Sequence, residues 1–451
     1  PTEKRSRYNL SFNQKRLWFI YQRDPHSPAF NMPDLIELPR FIDAAGLKKA
    51  LRELFRRHES LRTGFTTADE EPVQFIAPHL AKLPCREIDI SHLEEKEREQ
   101  QLDRMFKEES LQVFDLTRVP LFRSLLVKLA DEHYVFIFVM HHIICDGWSL
   151  ELFKNELIFI YECYRTGQPV SLKPLRIQYR DFSEWHNRQV ADNGASVKSH
   201  RFWKQKIEQG IPRLLLPANM GADSRDVRGS LYRFLISPEL QGKLKKLSRE
   251  SNTTLFMVMF ALYVIALSRY SNQQEIACSI ISAGREHESL HPVIGFFVNS
   301  ILFRTRIDPY EGFAEFLRRV SSDAAECFVH QNYPLEIVFQ EMKKRYPDIQ
   351  VSFNMANLPG DRETGSLEVY EPCHLSESQD VKFDLEPYIF EYKNGIDTMW
   401  AYKKGMFSAR MIEYFVRDYV KLLEFFTAYP YKSYGDFKAA GKKKKMKLTV
   451  K

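Results

Sequence analysis

The chain has 451 residues, 44% hydrophobic and 27% charged, with a formal net charge of +6. That length exceeds the ~250–300 residues at which single cores stop growing, so two lobes of roughly 200 residues each are expected. The surplus of positive charge is concentrated at the end, in Lys442 to Lys445, Lys447 and Lys451. No basic stripe runs between exposed aromatics elsewhere, which argues against a nucleic-acid partner.

The six cysteines (Cys85, Cys145, Cys163, Cys278, Cys327 and Cys373) form no CxxC pair. Scattered thiols fit a reduced, cytoplasmic protein better than a disulfide frame. The opening Pro1 to Arg7 is polar and no apolar signal core follows it. The longest apolar run, Leu255 to Leu267, is short of the about 20 residues a membrane span needs. No membrane partner is expected.

Taken in chain order, Ser11 and Gln14 read as a capping box, with Leu17, Trp18 and Tyr21 on one face of the helix behind it. A second helix runs from Asp43 to His58, with Leu47, Leu51, Leu54 and Phe55 at helical spacing. Leu61 to Phe65 is strand-like. Leu121 to Leu129 and His133 to Met140 are β-rich runs joined by Ala130-Asp131-Glu132, which predicts a hairpin. A helix with Leu150, Phe153, Leu157, Ile160, Tyr161 and Tyr164 on one face stops at Gly167. Gln168 to Lys173 is taken as the start of an interlobe connection.

In the second half, Thr254 to Tyr270 reads as a buried helix, Glu275 to Ser282 as a strand and Ile294 to Thr305 as a strand opened by Gly295. Phe313 to His330 and Met411 to Phe426 read as helices. Strands and helices alternate without a strict βαβ rhythm, so the expected class is α/β in mixed sandwich lobes rather than a doubly wound parallel sheet. The expected division is 1–172 for an N-terminal lobe, 173–430 for a C-terminal lobe and 431–451 for a Lys-rich tail.

The chemistry is expected at the end of the hairpin, in His141-His142-Ile143-Ile144-Cys145-Asp146-Gly147. Adjacent strand residues face opposite ways, so one imidazole faces a cleft and the other is held inside. An imidazole titrates near pH ~6.5 and is mostly neutral at about pH 7, able to take a proton. Asp146 lies close by, and Gly147 permits a turn that brings backbone N–H groups near the strand end. The plain alternative is a structural histidine. A metal site is disfavoured, because adjacent strand residues diverge where zinc ligands share a face. Cys145 has no activating partner and reads as a packing residue rather than a nucleophile.

The run Met140 to Ser149 resembles the HHxxxDG signature of chloramphenicol-acetyltransferase-like acyltransferases and of nonribosomal peptide synthetase condensation domains. Five further segments are similar to condensation-domain motifs in the same order: Leu10 to Phe19 (LSFNQKRLWF), Arg57 to Phe65 (RHESLRTGF), Tyr179 to Trp185 (YRDFSEW), Ile294 to Ser300 (IGFFVNS) and His330 to Glu336 (HQNYPLE). The match spans Tyr8 to about Phe426. A seventh motif is eroded at Lys343 to Gln350 (KKRYPDIQ).

The resemblance implies two acyltransferase-like lobes arranged in a V, with the active site in a tunnel between them. It implies amide formation between a carrier-bound acyl or peptidyl thioester and the amine of a carrier-bound aminoacyl group. Donor and acceptor peptidyl carrier proteins would be the partners, with neighbouring synthetase domains. Phosphopantetheine would belong to those carriers, and the chain needs no cofactor of its own.

By the same resemblance His142 faces the reacting centre as base, positioner or stabiliser of the intermediate. His141 and Asp146 support it, with Arg62 as the expected ion-pair partner of Asp146. N–H groups around Gly147 would face the oxyanion. Trp148, Asn299 and Ser300 would line the tunnel. Plain packing is the alternative for Arg62, Tyr179 and Trp185.

The intact His pair argues against the heterocyclising type, and Leu150 after Ser149 against the epimerising type. An L-configured donor or a starter fatty acyl group remains. Two other readings stay open: a stand-alone acyltransferase using acyl-CoA, and a non-catalytic domain that docks carrier proteins.

Overall fold

The structure is a computed structural model and describes residues 2–3, 5–38, 43–191, 194–218, 228–345, 347–356 and 381–438. Cys373 and most of the expected Lys-rich tail lie outside the described residues. The chain divides into two units: Pro1–Ser196 with Ala283–Val298, and Val197–Ser282 with Asn299–Asn357 and Val381–Lys451. Residues 173–196, expected in the second lobe, therefore belong to the first unit, and so does the return segment 283–298.

The first unit contains β1 (Tyr8–Asn9), α1 (Phe12–Arg23), β2 (Asn31–Glu37), α2 (Ala44–Arg57), β3 (Thr63–Ala68), β4 (Glu71–Ile76), β5 (Cys85–Asp89), α3 (Glu95–Leu111), β6 (Phe122–Ala130), β7 (His133–His141), α4 (Gly147–Thr166) and α5 (Tyr179–Ala191). Helix α6 (Ala195–Glu208) begins at the unit boundary. A four-stranded sheet in the order β2-β7-β6-β5 is antiparallel except where β5 runs parallel to β6. A small sheet pairs β1, β4 and β3.

Alternation along β7 divides the core, as a two-residue period requires. Phe136, Phe138 and Met140 pack with α2 and α4 through Leu51, Leu54, Phe153 and Leu157. Val135 and Ile137 pack on the other face against Leu102, Met105 and Phe106 of α3. Burying both faces explains why this strand reads as a nearly unbroken apolar run.

The second unit contains β8 (Gly229–Ile236), α7 (Pro238–Glu250), α8 (Leu255–Ser271), β9 (Glu275–Ser282), β10 (Asn299–Arg306), α9 (Phe313–Val329), α10 (Leu335–Glu341), β11 (Ser352–Ala356), β12 (Leu385–Tyr392), β13 (Gly395–Lys403) and α11 (Ala409–Ala428). Its six-stranded sheet has the order β10-β9-β11-β12-β13-β8. It is mixed: β11 runs parallel to both β9 and β12, and the other pairs are antiparallel. Phe303, Phe353 and Trp400 meet Phe260, Tyr263, Phe415 and Tyr419 of α8 and α11 on one sheet face.

Among the described residues no single helix is long and apolar enough to cross a membrane. The apolar α8 is instead buried in its unit's core.

Several local readings hold closely. The Ser11–Gln14 capping box is present. The hairpin turns through Glu132 at φ 57°, and Gly167 caps α4 at φ 68°. Two readings do not hold in full. Leu61 and Arg62, expected in a strand, lie in a 3-10 turn, with strand β3 starting only at Thr63. The strand expected over Ile294 to Thr305 begins only at Asn299. The preceding residues leave the sheet because Ile294, Phe296 and Phe297 pack into the first unit's core.

Candidate active site

Strand β7 ends at His141, and His142–Ile144 form one 3-10 turn. The His142 N–H donates to the Phe30 carbonyl at 2.8 Å, tying the turn to the loop before β2. The ring Nδ1 lies 2.8 Å from the Cys145 carbonyl oxygen. A carbonyl can only accept, so Nδ1 carries a proton and the neutral ring has its lone pair on Nε2. The ring rests edge-on against Phe296 at 4.7 Å between centroids. One contact fixes the tautomer and the other fixes the plane.

His141 does something different. Its Nδ1 accepts the Ile143 N–H at 3.1 Å, capping the turn, and its ring packs on Phe30 and Phe114. The two imidazoles thus have separate neighbours. Among the described residues no cluster of three or more His, Cys, Asp or Glu is arranged to hold a metal.

Cys145 is fully buried, with its sulfur against Met32 and the His141 carbonyl. Its thiol is packed in the interior, and its backbone oxygen meets His142 Nδ1.

Asp146 is the N-cap of α4, where its Oδ1 accepts the Ser149 N–H at 2.8 Å. An acidic cap satisfies a first-turn donor and complements the helix dipole. The same carboxylate accepts the Phe297 N–H at 3.0 Å and the Arg285 guanidinium at 3.1 Å. Arg285 also donates to the Ser149 hydroxyl at 2.8 Å and to the carbonyls of Leu290 and Val293 at 2.6 and 2.7 Å. Its guanidinium lies 4.1 Å from the centre of the Phe297 ring. Burial pulls the guanidinium below its usual range, and Asp146 opposes that shift.

Arg62 is therefore not the partner of Asp146. Its guanidinium donates to the Phe55, Ala77 and Pro78 carbonyls, tying α2 to the end of β4. The loop 283–298 returns to the first unit and delivers Arg285 in its place. Sequence reasoning passed over Arg285. The available signal was a charge placed just past a strand with a buried centre, after Gly284. That glycine has φ 64°, and a Cβ there would lie 2.1 Å from the Phe297 carbonyl.

Gly147 is the first residue of α4. Its φ is not positive, and a Cβ there would meet nothing within 4 Å. The expected conformational need for glycine is absent. The residue leaves open space in front of the helix start, where the Gly147 and Trp148 N–H groups lack intrahelical acceptors. Trp148 is half-buried, and its indole N–H donates to the His291 carbonyl at 3.0 Å.

Three further motifs make buried contacts in the first unit, one of them on the His142 turn. Gln14 Nε2 donates to the Ile143 carbonyl at 3.2 Å. The Ser11 hydroxyl lies 2.8 Å from the Tyr179 hydroxyl, which donates to the Phe296 carbonyl at 2.7 Å. Burial raises the Tyr179 phenol well above its ordinary value, so it stays a donor. Gly295 makes room for this ring, because a Cβ there would sit 2.0 Å from Tyr179. His58 is buried with Nε2 2.7 Å from Glu156, which Arg57 also engages. Burial lowers the His58 pKa, and Glu156 only partly opposes it.

His141, His142, Asp146, Gly147 and Trp148 thus lie together at the end of β7 and the start of α4, all in the first unit. Asn299 and Ser300 belong to the second unit. The Asn299 amide donates to the Gln331 carbonyl. Ser300 points to the opposite sheet face.

The family model described as "Condensation domain" matches residues 4–449. The chain belongs to the condensation-domain family of nonribosomal peptide synthetases. It is 32% identical to tyrocidine synthase 3 of Brevibacillus parabrevis over 438 residues, 95% of this chain but 6% of that protein. The chain thus spans a small fraction of the length of the curated relatives it matches.

Among solved structures it superposes on the first condensation domain of the calcium-dependent antibiotic synthetase, in complex with a substrate analogue. The TM-score is 0.80 at 18% identity, covering 95% of this chain and 99% of that one. A complex of the X-domain and OxyB from teicoplanin biosynthesis matches with TM-score 0.79 at 22% identity, covering 97% and 96%. These likenesses show the fold, which is mixed α/β with two chloramphenicol-acetyltransferase-like lobes. Condensation domains are acyltransferase-type enzymes that form amide bonds.

Proposed function

We propose that this chain joins a carrier-bound acyl or peptidyl thioester to the amine of a carrier-bound aminoacyl group. The observation that carries the reading is the Nδ1–H contact of His142 to the Cys145 carbonyl, which leaves the Nε2 lone pair as the acceptor. In this reading the acceptor amine attacks the thioester carbon while Nε2 takes the amine proton. The tetrahedral intermediate collapses with loss of the carrier thiolate, which takes a proton as the free thiol. One C–N bond forms and one C–S bond breaks.

A free amine has a pKa near ~8, so a placed acceptor assists at about pH 7. The Gly147 and Trp148 N–H groups would receive the oxyanion. The phosphopantetheine arms belong to the donor and acceptor carriers. The donor is an L-configured acyl or a fatty acyl group, and the setting is cytoplasmic.

A docking domain without chemistry is a second reading, since the X-domain structure pairs this fold with a partner protein. The His142 geometry favours catalysis. Loaded donor and acceptor carriers, mixed with the protein and followed by mass spectrometry, test it. Product is expected from the unaltered protein and not from His142→Ala. Equal product from both removes His142 from the chemistry. Turnover of free acyl-CoA but not of carrier thioesters points to a stand-alone acyltransferase.

A further inference from the structure

One face of the second unit's sheet is filled by α8 and α11. The opposite face carries a polar group in its centre. Ser279 of β9 and Ser352 of β11 are register partners, and Glu386 of β12 lies in the same row. All three are buried, at 3%, 0% and 5% exposure. The next row on the same face, with Ser300, Ile281, Asn354, Tyr388 and Met399, is half-buried.

The Tyr388, Ser352 and Asn354 side chains and the charge of Lys382 all favour the ionised Glu386 carboxyl. Burial is nevertheless the largest influence and raises the carboxyl above its ordinary range. The Ser279 and Ser352 hydroxyls have no hydrogen-bond partner among the described residues. Ser352 faces the carboxyl without closing a bond of normal geometry. Buried hydroxyls left unpaired cost about 1–3 kcal/mol each, so a partner is called for. A carboxyl has roughly four acceptor positions and a hydroxyl two. Tyr388, Asn354 and Ser352 turn donors toward the carboxyl, and its remaining positions and the Ser279 oxygen are left to accept. That arrangement suits a ligand rich in N–H.

We infer that Ser279, Ser352 and Glu386 recognise an amine group of a bound substrate, with Ser300, Asn354 and Tyr388 in the row beside them. This rests on the condensation reading, in which amine-bearing thioesters are substrates, and adds a specificity-determining group to it. Two thioesters that differ only in the amine test it: glycyl- and acetyl-N-acetylcysteamine, titrated calorimetrically. His142→Ala protein serves as the background, so that His142 contributes nothing to amine binding.

The glycyl compound is expected to bind about tenfold tighter than the acetyl one, as a hydrogen bond to a charged group implies. Glu386→Gln is expected to erase that preference without changing acetyl affinity, and Ser352→Ala to reduce it. Gln keeps the shape, and thermal melting checks its fold. If Glu386→Gln melts early, the Ser279→Ala and Ser352→Ala titrations decide. A preference that survives in all of these variants overturns the inference. Amide formation from loaded carriers, without any amine preference in the background protein, overturns this inference alone. A Glu386-dependent preference with no amide from carriers overturns the condensation reading alone.

Discussion

Arg285 and Asp146 stand 139 residues apart and form a 3.1 Å ion pair with side-chain exposures of 1% and 3%. Neither charge has access to water, so each depends on the other and on the groups around them. Every acceptor Arg285 reaches belongs to the first unit: a carboxylate, a hydroxyl and two carbonyls. The pair pins the helix start that follows His142 to the loop 283–298.

Removing one member strands the other. Asp146→Ala and Arg285→Ala are each expected to lose about 3–5 kcal/mol of stability, the usual result of breaking a buried pair. Arg285→Lys is expected to recover little. A single ammonium cannot span two carbonyls and a carboxylate as a planar fork does. Urea denaturation followed by tryptophan fluorescence measures all three. A loss under about 1 kcal/mol in Asp146→Ala would show that the pair does not hold the turn.

The His58–Glu156 contact gives a pH dependence. Burial lowers the folded-state pKa of His58 below its usual value near ~6.5. Below that pH the unfolded chain binds a proton that the folded chain resists. Stability from this group is therefore present above about pH 6.5 and lost as pH falls through it, by up to about 1.4 kcal/mol per unit. Urea midpoints at pH 7.5 and 5.5 are expected to differ more for the unaltered chain than for His58→Gln. Equal differences would mean that other groups carry the acid sensitivity.

The chain order of elements was legible because its signals are local. Caps at Ser11 and Gly167 and the apolar hairpin act within a few residues. Two of the motifs outside the His142 turn were legible for a different reason, since they hold the residues around that turn in place. Gln14 holds the Ile143 carbonyl, and Tyr179 holds the Phe296 carbonyl. The partner of Asp146 was not legible. Arg62 sits inside a familiar motif and Arg285 outside any, and only the path of 283–298 in the first unit brings Arg285 to Asp146. The value of Gly147 was misread on local grounds too. Glycine suggested a turn that needs its freedom, but the backbone there is ordinary helix with open space in front of it.

Gly295 and Tyr179 form a steric pair. Gly295→Ala is expected to lower the melting temperature markedly, because the new methyl group would overlap the phenol ring. Tyr179→Phe keeps the ring and loses the hydroxyl contacts with Ser11 and Phe296, at about 1–3 kcal/mol for the partners left buried. Differential scanning calorimetry ranks the two. If Gly295→Ala melts with the unaltered chain, the ring is free to move and does not brace the loop.

The thiol and the carbonyl of Cys145 can be separated by substitution. The sulfur touches Met32 in a buried pocket, and the backbone oxygen holds His142 Nδ1. Cys145→Ala removes only the sulfur, leaving a small void at a cost of about 1 kcal/mol. Its rate of amide formation is expected to stay within about twofold of the unaltered chain, since less than ~0.4 kcal/mol of barrier would change. Gly147→Ala is the opposite case. The helix start accepts a methyl group without contact, so stability should hold or rise slightly. The methyl group occupies the space before the Gly147 and Trp148 N–H groups, so kcat/KM should fall by about tenfold or more. Measuring both variants by product formation and by thermal melting assigns each position. A large rate loss in Cys145→Ala would give the thiol a chemical role, and an unchanged rate in Gly147→Ala would move the oxyanion site away from the start of α4.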